Sequence, residues 1–153
     1  MDAIGYPWEF YIPKARQWSI IGRGKMAAPD AEFVRLDAKF TPIAILEGFA
    51  NLKGVSLGHP SQQHLEFFQH FSSLKCVCLI VPRVTSLTPL AALRHLQALE
   101  LDDPPTLAGL DRLTNLKCLV LRHFRRIKSL EPLAALPHLR AVSMSTIPSW
   151  DAS

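Results

Sequence analysis

The sequence predicts an α/β solenoid, with short parallel strands lining a concave side and helical or 3₁₀ turns on the convex side. Three observations carry this. The stretch "TSLTPLAALRHLQALEL" at 85–101 is echoed 43 residues later by "KSLEPLAALPHLRAVSM" at 128–144. Five segments share one pattern, "NLKGVSL", "SLKCVCL", "HLQALEL", "NLKCLVL" and "HLRAVSM", and their leading leucines (Leu52, Leu74, Leu96, Leu116, Leu139) advance by 22, 22, 20 and 23 residues. Apolar residues also recur at fixed offsets before each leading leucine. Nine before stand Ile43, Leu65, Leu87, Leu107 and Leu130; six before, Leu46, Phe68, Leu90, Leu110 and Leu133; three before, Phe49, Phe71, Leu93, Leu113 and Leu136. Self-similarity at such a period marks a stacked array, because one unit cannot bury its apolar face alone.

Each element follows from the local period. "VSL", "VCL", "LEL", "LVL" and "VSM" alternate with period two, as a short half-buried strand does. A weaker first copy, "AEFVRLDA", puts Val34 and Leu36 in the same strand columns. The three-residue spacing before each strand suits a helical or 3₁₀ turn with one apolar edge. Pro89 and Pro132 sit where proline is tolerated, in a first helical turn.

With the ladder and the segments 84–93 and 127–136 in view, residues 31–147 resemble the leucine-rich repeat family, in the 22-residue type seen in internalins. The resemblance implies a leucine-rich repeat solenoid of about six repeats, the first degenerate. It also implies asparagine three residues after the last strand leucine, where this chain has Pro60, Pro82, Pro104 and Phe124. Irregular turns are therefore expected near Asp102–Thr106 and His123–Arg126.

The ends do not follow the repeat. Residues 1–30 contain the aromatic, β-prone segments "PWEFYIP" and "RQWSIIG", read as a hairpin or paired strands capping the first repeat. Residues 148–153 form a short C-terminal tail, with Ile147 and Trp150 placed to cover the last rung.

Composition excludes several classes. At 153 residues, 48% hydrophobic and 20% charged, the chain can bury a core as one domain. No apolar run approaches a membrane span, and the N-terminus lacks a signal-peptide pattern. Three cysteines without paired spacing favour a reducing compartment, hence a cytoplasmic location. The net charge of +4 keeps nucleic acid as the runner-up partner, with "RHFRRIK" at 122–128 its densest basic patch.

No nucleophile, base and orienting group share a recognisable spacing, so the sequence reads as non-enzymatic. "GRGK" at 22–25 lacks the spacer and the following Ser or Thr of a phosphate loop. Cys76 and Cys78 fall on one rung and Cys118 two rungs later, too dispersed for a Cys76–Cys118 disulfide or a zinc site, and all three read as small, reduced surface residues. No cofactor or metal is expected.

What remains is the concave face. The residues between the inward leucines form three columns of small, apolar and charged side chains. The partner-binding set is Arg35, Asp37, Ser56, Cys78, Ile80, Glu100, Asp102, Val120, Arg122, Phe124 and Ser143. Small residues admit a close partner backbone, and charges at a rim set orientation. The sequence thus predicts a protein-interaction scaffold, with a nucleic-acid-binding accessory protein and an inhibitor or immunity-type protein as alternatives.

Overall fold

The computed structural model describes residues 18–22 and 26–145. Seven strands form one parallel sheet in sequence order. They are β1 (Ser19–Ile20), β2 (Phe33–Asp37), β3 (Gly54–Gly58), β4 (Cys76–Ile80), β5 (Ala98–Asp102), β6 (Cys118–Arg122) and β7 (Ala141–Ser145). The convex side carries the predicted turns. Among the described residues four are 3₁₀ segments, Ile43–Gly48, Phe68–His70, Thr88–Ala92 and Leu110–Arg112, and two are short helices, α1 (Gln62–Phe67) and α2 (Glu131–Ala134). Pro89 and Pro132 each occupy the first turn of their segment, where a missing amide hydrogen costs nothing.

Period-two alternation places Val34 and Leu36, Val55 and Leu57, Val77 and Leu79, Leu99 and Leu101, and Leu119 and Leu121 against the convex turns. All are buried in one continuous apolar cluster running from Ile21 to Leu136. The columns at the turns join it, including Leu46, Phe68, Leu90 and Leu110, each fully buried. The register is unbroken from β2 to β7, with Val34, Val55, Val77, Leu99, Leu119 and Val142 as successive partners. On β7, Val142 and Met144 are half-exposed, since no further described rung covers them.

Ser19–Ile20 extends the sheet in parallel with β2. The cap's remaining segments (1–17 and 23–25, most of "GRGK" included) and the tail 148–153, with Ile147 and Trp150, lie outside the described residues.

The expected turn irregularity is not found. His59, Val81, Asp103 and His123, each two residues past a strand leucine, adopt the same left-handed conformation, with φ of 54, 52, 56 and 50°. Their amides make a regular ladder, donating to the Ile80, Asp102, Arg122 and Ser145 carbonyls at 2.7–2.8 Å. This ladder links adjacent rungs without an asparagine amide, and the next position is free for the buried rings of Pro60, Pro82 and Pro104. Proline brings no amide hydrogen that would need a partner there.

Left-handed backbone suits Asp and His but strains a β-branched residue. Val81 is only partly buried, so Val81→Asn is expected to stabilise the protein by about 1 kcal/mol. Urea denaturation of the two proteins, at equal m-value, measures it.

Side chains reinforce the stack. Gln62 Oε1 accepts the Thr85 amide at 2.8 Å and its Nε2 donates to the Ser86 carbonyl at 3.0 Å, tying α1 to the next rung. His64 Nδ1 accepts the Ser61 amide at 2.8 Å, a capping contact at the start of α1.

Candidate interaction surface

Strand pairing builds the concave face as three columns. Phe33, Gly54, Cys76, Ala98, Cys118 and Ala141 form the first; Arg35, Ser56, Cys78, Glu100, Val120 and Ser143 the second; Asp37, Gly58, Ile80, Asp102, Arg122 and Ser145 the third. Ten of the eleven predicted residues therefore share this face. Phe124 does not. It lies beyond the turn, at the position of the buried prolines, and packs partly buried against the main core.

The columns differ in access. Ser56, Cys76, Cys78, Ala98, Cys118 and Val120 are all between 0 and 4% exposed. Cys76, Cys78, Ala98, Cys118 and Val120 form, with Trp18, a second apolar cluster on the side of the sheet opposite the leucine core, with Phe33 and Ala141 packed against it. The cysteines are thus interior residues, not the surface residues expected. Trp18 meets Phe33 edge to face at 5.8 Å between centroids, and the Arg35 guanidinium lies 5.4 Å from the Trp18 ring. All three thiols are free. The adjacent Cys76 side chain and burial push the Cys78 thiol well up, and burial raises Cys118 to about 12. Among the described residues, the buried side-chain atoms Ser56 Oγ and Arg35 Nε have no hydrogen-bond partner.

The accessible part is the rim where the strands end. Arg122 Nε pairs with Glu100 at 3.2 Å, and His123 Nδ1 lies 2.7 Å from Asp102 Oδ1. His59 Nδ1 lies 3.1 Å from Asp37 Oδ2, and Arg126 Nε 3.3 Å from Asp103 Oδ1. Burial raises the pKa of Glu100, the Arg122 charge opposing it. Ile80, half-buried, is the apolar residue of this rim. A groove of about 680 Å³ opens at its first rungs, bordered by Ile20, Ile21, Arg35, Asp37, Phe40 and Ile80.

Four rim residues lie outside the predicted partner-binding set: His59 and Asp103, and His123 and Arg126, which the sequence reading takes as part of the basic patch at 122–128. A signal existed in the position two past each strand leucine, which carries His59, Asp103 and His123 beside the aspartates of the third column. Among the described residues no group of three His, Cys, Asp or Glu side chains could hold a metal ion, and no helix is long and apolar enough to cross a membrane.

Stacked parallel strands with one leucine core and 3₁₀ turns on the convex side define a leucine-rich repeat solenoid. No family model and no curated protein sequence matches the chain. Among solved structures it is similar to an internalin (inlF) from Listeria monocytogenes, at 16% identity and a TM-score of 0.52, over 76% of this chain and 35% of that one. It is also similar to internalin C2 (inlC2) of the same organism, at 23% identity and a TM-score of 0.46, over 73% of this chain and 51% of the other. The likeness to inlF shows the fold alone, and the chain spans roughly a third to a half of the length of these structures.

Proposed function

We propose that the protein is a non-enzymatic interaction scaffold that binds a protein partner on the concave side, through the rim at the strand ends. The observation that carries this is the composition of that rim. Charges of both signs, Glu100 with Arg122 and Asp102 with His123, border the half-buried Ile80. An apolar contact bordered by oriented charges is how protein interfaces combine burial with specificity. The basic patch supports nucleic acid less well, because Arg122 and Arg126 are already engaged by Glu100 and Asp103. Three free thiols suit a reducing compartment such as the cytoplasm.

The test is a pull-down at two salt concentrations with wild type and the double variant Ile80→Glu, Glu100→Arg. A protein retained by wild type at both salts should be lost by the variant, its affinity falling at least about tenfold, with little change in the thermal melt. Recovery of nucleic acid alone, released by salt and indifferent to the variant, overturns the reading.

A further inference from the structure

The groove at the first rungs holds two polar groups that the protein does not satisfy. Ser56 is 0% exposed, yet its Oγ has no hydrogen-bond partner among the described residues, and the buried Nε of Arg35 has none either. Buried donors are rarely left unpaired, because each has lost water without gaining a replacement. The two are not scattered. Arg35 on β2 and Ser56 on β3 are direct partners in the strand register, about 4.8 Å apart, and both line the groove of about 680 Å³. Arg35 is also uncommitted as a charge. Among the described residues it enters no ion pair. Its guanidinium lies 5.4 Å from the Trp18 ring centroid, a contact that supplies no acceptor oxygen. The carboxylate in the lining, Asp37, is already engaged by His59 at 3.1 Å and by the Lys39 amide at 2.8 Å. Much of the remaining wall is apolar, with Ile20 and Phe40 56 and 78% exposed and Ile80 half-buried.

We infer that this groove is a binding site for a carboxylate carried on an apolar body. One carboxylate oxygen accepts from Arg35 Nε–H and the other from Ser56 Oγ–H, which satisfies both buried donors at once. Arginine suits the role, since its planar fork matches a carboxylate and the bond is charge-assisted. The apolar body lies against Ile20, Phe40 and Ile80. The volume falls within the roughly 300–1,000 Å³ of ordinary ligand clefts, enough for a small organic acid or the last residues of a peptide chain. A free acid and a chain terminus present the same two features, and the site is defined by what they share.

Proton–nitrogen NMR titration of the full chain tests this with two acids, phenylbutyrate and acetylated leucyl-phenylalanine, each beside its neutral amide. At least one acid should shift the Arg35 Nε–H signal saturably and bind at least about tenfold more tightly than its amide. Tighter binding of phenylbutyrate assigns a free small acid, and tighter binding of the dipeptide a chain terminus. Arg35→Lys keeps the charge but loses the fork, and should weaken the acid at least about tenfold, read from the Gly58 and Ile80 amides. Ser56→Ala removes a hydroxyl that has no partner, so its thermal melt should be unchanged or higher while the acid binds at least about threefold more weakly. If Arg35→Lys fails to fold, Ser56→Ala decides alone. No saturable shift, equal affinity for acid and amide, or an affinity unchanged in the variants overturns the inference. These titrations involve no protein partner, so their outcome is independent of the pull-down.

Discussion

Phe68→Ala should destabilise the protein by about 3–5 kcal/mol, the largest effect expected of any single truncation here. Phe68 is fully buried and is the one aromatic residue in a column otherwise held by Leu46, Leu90, Leu110 and Leu133. Removing the ring leaves a cavity that the neighbouring rungs cannot close, because the strand register on either side holds them in place. In a solenoid each rung is supported only by its neighbours, so a void in one weakens two interfaces. Phe68→Leu restores the residue type of the column and should cost less than about 1.5 kcal/mol. Thermal melts distinguish them, with a drop of roughly 10 °C or more for alanine and a few degrees for leucine. Equal drops for both would show that the column tolerates no change of shape, and the repeat argument would lose its energetic meaning.

That argument explains how much of the fold was legible. Five copies of one unit let weak local signals reinforce one another, so Val34 and Leu36 could be placed on a strand although their copy is degenerate. The whole register from β2 to β7 followed from the ladder of leucines. Strand β1 was less legible, since two residues carry too little pattern to fix a direction. The left-handed turns were missed because Val81 interrupts a position that otherwise holds His59, Asp103 and His123, residue types that tolerate such a backbone. Their conformation follows from a chain that must leave each strand along the same path.

The candidate surface was half legible for a different reason. Periodicity says which side chains leave the sheet on the concave side, and it placed Arg35, Ile80, Glu100 and Arg122 there. It cannot say what else lies on that side, so it read Ser56, Cys78 and Val120 as open and the structure buries them. The rim contacts are cross-rung as well. Asp37 and His59 are 22 residues apart and Asp102 and His123 are 21 apart, a separation at which no local motif appears and only the register brings the partners together.

The second large effect is at Gly109. The rung from β5 to β6 advances by 20 residues where its two predecessors advance by 22, so the chain must reach the convex side by a shorter path. Gly109 makes this possible by turning at φ 89°, a region open to glycine and strained for other residues. The same turn brings its backbone against the previous rung, where the Ala108 carbonyl accepts the Leu87 amide at 2.6 Å. A Cβ on residue 109 would stand 2.4 Å from the Thr88 nitrogen and 2.5 Å from its Oγ1. The first of these is backbone and cannot rotate away. Gly109→Ala therefore combines backbone strain with a steric clash, and a loss of roughly 2–4 kcal/mol is expected. Gly48→Ala is the control, because a Cβ there meets nothing within 4 Å and its segment is helical, so that variant should be neutral or gain up to about 1 kcal/mol. Urea titration of both proteins tests the claim. A neutral Gly109→Ala would mean that the short rung can reach its convex turn by another path.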